Sequence, residues 1–406
     1  MTLVLKIIGV TLLVLVILLA LAAAIVPRFL DRRYYQGPPS DHFDGARFFN
    51  PDGDSDTAGI PGGGGRAGFI WRQLTGSDGR PAWPESVPVT PSKPAARVAG
   101  EAMVATWIGH ATVLVQTQGM NILTDPVYAE RAGPLGFGPR RVTAPGVAFD
   151  DLPPIDLVLL SHNHYDHLDL DTLERLWRRD RPTIVTPLGN DAILRAHGIE
   201  SQAADWGESL PVSPRAGGGP FEVTVTRNHH WGSRWGTDRN RALWSSFVVR
   251  LPGGNLFFAG DTGWGDGKWP GEAAKLGPIR LALIPIGAFR FVPGQMSSGS
   301  HIGPAQAVDV FRASGAATAI PIHWGTFRLS YEARDTPSKM LEAAVRCSGI
   351  ADERPDKRFA PVVIGRAVQV PGIAPVVVPS RVIIPPQRSG ADLLRCLDTP
   401  EVRALR

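Results

Sequence analysis

The sequence SHNHYDHLD runs from Ser161 to Asp169. It follows an apolar run at residues 155–160 whose length and branching are typical of a buried strand. Three histidines and two aspartates in one short loop would form a costly buried polar cluster unless a cation neutralised it. Imidazole nitrogens and carboxylate oxygens are common ligands of divalent metals. The stretch, called the metal loop below, therefore predicts a metal site.

One loop cannot complete two coordination shells, so further ligands must come from distant parts of the chain. The metal loop offers His162, His164, Asp166 and His167. Other candidates, each beyond a strand-like or turn segment, are His229, His230, Asp261, His301 and His323. Together these groups are enough to bind two metal ions about 3.5–4 Å apart that share one bridging carboxylate. Such a pair makes hydroxide available near neutral pH, which predicts a hydrolase that uses a dimetal-bound hydroxide.

Single histidines near a strand end are more often structural than ligating. We apply this interpretation to His42, His197 and His110. The chemistry of the residues does not separate His229 from His230, because both are imidazoles at adjacent positions. The sequence therefore leaves that choice, and the role of His110, open.

Short apolar runs bounded by turns predict strands, and apolar residues at helical spacing predict helices. The predicted strands are 102–107, 112–116, 121–124, 155–160, 183–186, 221–226, 245–251, 255–259, 281–286 and 318–322. The predicted helices are 171–179, 191–197, 304–312 and 335–347. Sheets flanked by helices, an α/β class of fold, agree best with this alternation.

The N-terminal segment is apolar and uncharged from residue 7 to residue 26. That length is close to the roughly 20 residues that cross a bilayer core, so it predicts a membrane anchor. A cleaved signal peptide is the rival, but its apolar core is usually only about 7–15 residues long. Lys6 precedes the run, and Arg28, Arg32 and Arg33 follow it, which favours a cytoplasmic catalytic domain.

The composition changes along the chain and divides it into four predicted parts. They are a transmembrane anchor at 1–27, a Gly/Pro-rich tether and irregular wrapping segment at 28–100, a catalytic domain at 101–380 and a C-terminal tail at 381–406. The second segment contains several large aromatic residues, which are not expected in a free linker: Phe43, Phe48, Trp71 and Trp83. Part of the second segment is therefore expected to pack on the catalytic domain.

The net charge bears on nucleic-acid binding, and the cysteine content bears on disulfide formation. The net charge is +4, but the basic residues are dispersed and form no Arg-rich or aromatic-interleaved block, which argues against nucleic acid. Cys347 and Cys396 are too few and too far apart for a disulfide framework, so we interpret them as ordinary thiols.

The sequence HNHYDH, within the metal loop, is the HxHxDH signature of the metallo-β-lactamase superfamily. Within that superfamily the chain resembles the N-acyl-phosphatidylethanolamine-hydrolysing phospholipase D group. The resemblance rests on TWIGHAT (106–112), LTDP (123–126), LPPID (152–156), AGDTG (259–263), IPIGA (284–288) and IHWGTF (322–327). It implies a four-layer αββα sandwich with the site at one edge, preceded here by the transmembrane helix.

The resemblance also implies ligands for two Zn²⁺ ions, with other divalent metals as alternatives. One zinc would be held by His162, His164 and His230, and the other by Asp166, His167 and His323, with Asp261 between them. His230 is preferred to His229 because Trp231 follows it, as in the family's His-Trp pair. Asp166, Asp261 and His301 would be catalytic, and Tyr165 and His301 would contact the substrate.

The implied activity is a phosphodiesterase acting on phospholipid or N-acyl-phosphatidylethanolamine at a membrane. The segment after His301 and the aromatic Trp264 depart from the family's pattern, and loops that line a substrate site diverge readily. A lactonase or carboxylic ester hydrolase of the same fold is therefore one alternative. A membrane-tethered metal-binding protein without catalysis is another, and the oligomeric state stays open.

Overall fold

The computed structural model describes residues 2–30, 34–53, 81–214, 220–291, 294–350, 356–373, 393 and 395–405. Within these residues the strands form two sheets of seven strands each. An apolar helix, α1 (Thr2–Leu30), precedes them. Its segment Leu3–Ile25 is long and apolar enough to cross a membrane, by length and composition.

The first sheet has the strand order β14-β1-β2-β3-β4-β5-β6. Its strands are β1 (Met103–Gly109), β2 (Thr112–Thr117), β3 (Met120–Thr124), β4 (Leu157–Leu159), β5 (Thr183–Pro187), β6 (Gln202–Ala204) and β14 (Ala367–Val370). The strands from β3 to β6 are parallel, and the remaining pairs are antiparallel. Metal-loop residues follow β4, an interior strand of this sheet.

The second sheet has the strand order β13-β12-β11-β10-β9-β8-β7. Its strands are β7 (Ser209–Val212), β8 (Phe221–Thr226), β9 (Ser246–Val249), β10 (Asn255–Phe258), β11 (Ile279–Pro285), β12 (Thr318–Ile322) and β13 (Arg358–Phe359). The strands from β10 to β13 are parallel, and the pairs from β7 to β10 are antiparallel.

Successive side chains of a strand point to opposite faces of its sheet and therefore pack in different layers of the sandwich. Phe258 packs in the core between the two sheets, together with Val113 and Ile122 of the first sheet. Its neighbour Phe257 points the other way, against helices that cover the second sheet. Because both faces of the inner strands are buried, their sequences are nearly continuous apolar runs.

Helices cover the outer face of each sheet. On the first sheet they are α2 (Leu170–Asp180) and α3 (Asn190–Ala196). On the second they are α4 (Trp269–Ala274), α5 (Pro304–Ser314) and α6 (Thr336–Ser348), with a short α7 (Pro400–Arg403) near the C-terminus. The α/β class and the four-layer αββα arrangement are thus confirmed.

Residues 34–53, called the N-terminal wrap below, pack on the sandwich. Phe43 and Phe48 are fully buried against Leu243 and Trp244. This confirms that part of the Gly/Pro-rich segment packs, while Trp71 and the glycine tract at 61–65 lie outside the described residues. The four-part division of the chain stays a prediction.

The interpretation of the two cysteines as thiols is wrong. Cys347 in α6 and Cys396 form a disulfide, with their Cα atoms 5.7 Å apart. Near this bond, Leu393 and Leu397 are buried in the core outside the second sheet. Folding brings the two residues together across a sequence separation of 49, a proximity that linear spacing does not reveal.

Candidate metal centre

The carboxyl ends of several strands meet at one end of the sandwich. His110 follows β1, Asp125 follows β3 and His323 follows β12. These three residues have left-handed backbones, with φ of 53°, 29° and 62°. A non-glycine residue in a sparsely populated backbone region costs about 1–3 kcal/mol and is held there by its surroundings. Such strain is often found at functional sites, and three strained residues lie together at this end of the sandwich.

One group of imidazoles comprises His162, His164 and His230. His162 Nε2 lies 2.8 Å from His164 Nδ1, and His230 Nε2 lies 3.4 Å from the same atom. His162 and His230 are fully buried. Their nitrogens lie close enough together to bind one metal ion. We call this group the three-histidine cluster.

A second group combines Asp166, His167 and His323. His323 Nε2 lies 3.4 Å and His167 Nε2 lies 3.5 Å from Asp166 Oδ2. His110 Nε2 belongs to the same group, 3.0 Å from that oxygen. The structure thus places His110 beside the predicted ligands, rather than at an unrelated strand end. We call these four residues the mixed cluster.

Asp261 lies between the two clusters. Its Oδ2 is 3.1 Å from His167 Nε2 and 2.9 Å from His323 Nε2, and it is 4.0 Å from His230 Nε2. The side chain is 1% exposed, so its charge has little access to water. One carboxylate thus faces histidines of both clusters, as a bridging ligand would.

The wrap distinguishes His230 from its neighbour. His229 Nδ1 turns away from the clusters and lies 3.1 Å from the Asp52 carboxylate oxygens. His230 points inward, and its Nδ1 lies 3.0 Å from the carbonyl oxygen of Ser300. That contact leaves Nε2 directed at the cluster. Geometry therefore separates two residues that the chemistry of the sequence could not.

Two predicted substrate residues lie at the edge of the clusters. His301 Nδ1 is 3.8 Å from Asp261 Oδ2, and its side chain is 14% exposed. Tyr165 is half-buried beneath the Arg234 guanidinium, which lies 3.9 Å from the centre of the tyrosine ring. Burial raises the pKa of Tyr165, so its hydroxyl stays protonated. Both side chains are reachable from the solvent side of the site.

The two clusters differ in charge. Burial lowers the pKa of His164 to about 4 and holds the pKa of His162 and His230 well below their usual value. In the mixed cluster, burial would also lower the pKa of His323, but the Asp261 carboxylate outweighs it and raises this pKa to about 9. The three-histidine cluster thus offers neutral imidazoles, the form that binds a metal, whereas His323 in the mixed cluster faces the Asp261 carboxylate.

Two residues outside the predicted site support the metal loop. Asp125 accepts hydrogen bonds from the Ser161 backbone N–H (2.7 Å) and hydroxyl (2.6 Å), and its Oδ2 lies 2.6 Å from His167 Nδ1. Arg234 Nη1 donates to the carbonyl oxygens of Asn163 and Leu168 at 3.1 and 2.9 Å. The position of Asp125 after a strand was a usable signal, whereas nothing in the sequence pointed to Arg234.

Comparison with known families agrees with this geometry. Residues 120–324, half of the chain, match the family model described as the beta-lactamase superfamily domain. The chain belongs to this family. The matched region includes the metal loop, His230, Asp261 and His323, and it begins at β3.

Relatives in the superfamily include named phospholipases. The chain is 36% identical to N-acyl-phosphatidylethanolamine-hydrolyzing phospholipase D 1 of Caenorhabditis elegans, over 59% of this chain and 70% of that protein. It is 31% identical to the mitochondrial protein of that name from Saccharomyces cerevisiae, over 61% of this chain but only 53% of the yeast protein. The chain is accordingly an enzyme of a hydrolase family with candidate metal-binding clusters.

A solved structure shares the fold of the superfamily. It is that of a possible metal-dependent hydrolase from Veillonella parvula, with a TM-score of 0.50 and 16% identity over 66% of this chain and 99% of that one. At this identity the likeness concerns the fold alone.

Proposed function

We propose that the chain is a zinc-dependent phosphodiesterase of the phospholipase D type, with a phospholipid such as N-acyl-phosphatidylethanolamine as its substrate. The observation that carries the proposal is a pair of ligand clusters around one shared carboxylate, Asp261. The named relatives, one of them 36% identical, suggest the lipid. A phosphodiester carries a negative charge, which favours its binding at a site that can hold two cations.

The donor atoms suit zinc. Structural and catalytic zinc sites use imidazole nitrogen and carboxylate oxygen at about 2.0–2.2 Å. His167 Nε2 faces the Asp166 and Asp261 carboxylates, is buried, and has no hydrogen-bond partner of regular geometry among the described residues. Native proteins seldom leave buried polar atoms unsatisfied, and a cation bound in the mixed cluster would satisfy this one. We propose that His162, His164 and His230 hold one ion, that Asp166, His167 and His323 hold the other, and that Asp261 bridges them.

Each remaining group has a proposed task in hydrolysis. Two divalent ions, when bound, polarise a phosphoryl oxygen and lower the pKa of the attacking water. Asp166 and Asp261 stay ionised, because the neighbouring imidazoles outweigh burial and hold their pKa values well below the usual range. As water attacks phosphorus, the bond to the alcohol oxygen breaks and that oxygen needs a proton. His301, partly exposed beside Asp261, is the proposed donor, and Tyr165 the proposed phosphate contact.

The test combines metal analysis with substrate profiling of the purified full chain. We expect about two zinc ions per chain, and turnover of both bis(p-nitrophenyl) phosphate and N-acyl-phosphatidylethanolamine. The variants His164→Ala and Asp261→Ala should lose both. His197→Ala, which alters a half-exposed histidine paired with Glu174 on the outer helical layer, is the matched control. Absence of turnover by the metal-loaded chain would overturn the proposal.

The same measurements separate the alternatives. Hydrolysis of lactones or carboxylic esters without phosphodiester turnover would indicate a carboxylic ester hydrolase of the same fold. Empty or single metal occupancy with no turnover of any ester would indicate a membrane-tethered metal-binding protein.

We also propose that Leu3–Ile25 anchors the chain in a membrane as a single-pass helix. The arginines at 28–33 favour a cytoplasmic catalytic domain, but the Cys347–Cys396 disulfide favours the opposite side. Disulfides persist in oxidising compartments, whereas cytosolic reductants keep thiols reduced. Because the charge difference across the helix is small, we give the disulfide more weight and propose the oxidising side.

Thiol labelling of the chain in intact cells tests this orientation. A thiol reagent applied after denaturation should add no mass unless a reductant has been used first. Two free thiols without reductant would instead support the cytoplasmic side. The same cells, lysed under alkaline conditions, report whether the chain stays with the membrane fraction.

A further inference from the structure

A short hairpin presents two large apolar side chains to solvent. Leu135 is 88% and Phe137 is 72% exposed. Backbone hydrogen bonds hold the hairpin: Ala132 N to Pro139 O, Phe137 N to Pro134 O and Arg141 N to Glu130 O, at 2.8–3.0 Å. These bonds define a closed hairpin that holds both side chains away from the body of the protein. We call Leu135 and Phe137 the apolar tip.

The conformation depends on glycine as well as on hydrogen bonds. Gly138 has φ of 105°, and a Cβ at that position would lie 2.4 Å from the carbonyl oxygen of Ala132. Arg131 and Arg140, at the base of the hairpin, are both exposed. Arg140 Nε lies 3.0 Å from Glu130 Oε1, whereas Arg131 Nη1 donates to the carbonyl oxygen of Gly138 and pairs with no carboxylate among the described residues. Exposed apolar side chains flanked by cationic ones are typical of segments that enter the interfacial region of a membrane. Burial there would remove the apolar surface of both side chains from water, which is favourable.

The hairpin rises from the metal-site end of the sandwich. Asp169, the last residue of the metal loop, accepts hydrogen bonds from the backbone N–H groups of Tyr128 and Ala129 at 3.0 and 2.9 Å. At the other foot of the hairpin, the Arg141 guanidinium lies 4.8 Å from the Phe327 ring centre. That ring lies 5.2 Å from the ring of His110 in the mixed cluster. Both feet of the hairpin therefore border the metal site.

The polypeptide brings α1 to the same end. Tyr34, four residues after the end of α1 at Leu30, is buried, and its hydroxyl donates to Asp238 Oδ2 at 2.6 Å. Four residues span at most about 14 Å. Asp238 also accepts the backbone N–H of Arg234, whose side chain donates to two carbonyl oxygens of the metal loop. The end of α1 is therefore covalently confined near the metal loop.

We propose that the apolar tip inserts into the bilayer that α1 spans and holds the metal-site end of the catalytic domain against the membrane. A lipid would then enter the site laterally from the same bilayer. The bilayer is favoured over a protein partner because the anchor, the tip and the exposed arginines share one end of the molecule. This inference rests on the proposed anchor, and its lateral-entry step rests on the proposed phospholipase activity.

A depth measurement tests the insertion without using catalysis. The two native cysteines are bonded to each other, so a cysteine introduced by Phe137→Cys is the only free thiol. The full chain, labelled there with an environment-sensitive nitrobenzoxadiazole probe, is reconstituted into vesicles of phosphatidylcholine with a minor fraction of anionic phosphatidylglycerol. Lys275→Cys is the control, because Lys275 is exposed and precedes β11, at the end of the sheet opposite the metal site.

We expect a blue-shifted emission at position 137, quenched by spin-labelled lipid, and neither effect at position 275. Similar behaviour of both probes would overturn the proposal. A shift at position 137 that grows with the protein-to-lipid ratio would also overturn it, since a second copy of the chain would then cover the tip. Retention of the chain in the vesicles after an alkaline wash reports on the anchor separately.

A kinetic measurement tests lateral entry. The double variant Leu135→Ser/Phe137→Ser should keep its turnover of bis(p-nitrophenyl) phosphate within about twofold and lose tenfold or more on phospholipid in vesicles. Equal retention on both substrates would show that the tip does not serve lipid entry. If the wild-type chain turned over neither substrate, the result would count against the proposed hydrolase activity. The depth measurement would still show whether the apolar tip inserts into the bilayer.

Discussion

The metal loop and the N-terminal wrap serve the metal site in different ways. The metal loop provides His162, His164 and His167 from a buried turn after β4, at one end of the sandwich. The wrap reaches the site from outside, where Asp52 faces His229 and Asn50 donates to the backbone carbonyl of His230 at 2.9 Å. Residues in the loop point donor atoms into the clusters, whereas residues in the wrap hold the backbone behind them. We therefore expect substitutions in the loop to affect chemistry and those in the wrap to affect stability.

The largest effect is expected for His164→Ala. The imidazole lies within hydrogen-bonding distance of His162 and close to His230, and its loss would leave two nitrogens of the three-histidine cluster. Zinc content should fall, and activity should drop by more than the roughly 10–100-fold that removal of an outer-shell partner costs. Metal analysis and kcat/KM measure both. His197 is the control, because it is remote from the site. An equal loss of zinc content and kcat/KM in His197→Ala would show that the effect is not specific to the metal loop.

An intermediate effect is expected for Asp125→Asn, which alters the support of the loop and not a candidate ligand. The amide keeps the shape of the carboxylate but removes the charge that faces His167 Nδ1 at 2.6 Å. Loss of such a partner typically reduces metal affinity or activity about 10–100-fold. Metal titration of the variant, with circular dichroism as a check of folding, measures the effect. Unchanged affinity would mean that the loop holds its ligands without Asp125.

Replacing one tyrosine by phenylalanine in the metal loop and one in the N-terminal wrap compares the two regions directly. Tyr165→Phe in the loop should raise KM for phosphodiesters several-fold and leave Tm unchanged, because the hydroxyl is the proposed phosphate contact. Tyr34→Phe in the wrap removes the hydrogen bond to Asp238, at a cost of about 1 kcal/mol or about 2 °C in Tm. Its KM should stay unchanged. The reverse pattern in thermal unfolding and kinetics would refute the division of roles.

The smallest effect is a pH dependence in the wrap. His42 lies between Asp41 and Asp205, 2.6 and 2.7 Å from its two ring nitrogens. Burial alone would lower the pKa of His42, but the hydrogen bonds to Asp205 and Asp41 outweigh it and raise this pKa above its usual 6.5. The protonated histidine therefore stabilises the fold below pH 6.5, and this contribution, up to about 1 kcal/mol, is lost as pH rises through the raised pKa.

Thermal unfolding of the wild type and of His42→Gln, in steps from pH 6 to pH 9, checks this expectation. The difference in Tm between the two proteins should be greatest at pH 6 and should shrink as the pH rises. A difference that is constant across this range would show that His42 acts by packing against Trp206, whose ring is 4.5 Å away, and not by its charge.

Most long elements of the sandwich were predictable from the sequence because burial imposes a period on it. All ten predicted strands and all four predicted helices are present, with ends shifted by up to two residues. The elements that sequence reasoning missed are short, such as β6 and the two-residue β13. A strand of two or three residues shows no periodicity, and only pairing with a neighbour defines it.

The kinds of ligand and the apolar N-terminal helix were predictable from the amino-acid sequence, because closely spaced histidines and aspartates after a strand have few other uses; resemblance also favoured His230 over His229. The tertiary structure was needed to show which way these two histidines face, that His110 joins Asp166, and that Cys347 pairs with Cys396. It also decided that the apolar tip and the start of the wrap lie at the metal-site end. Each of these depends on a distance between residues far apart in the chain or on the direction of a side chain, and local sequence constrains neither.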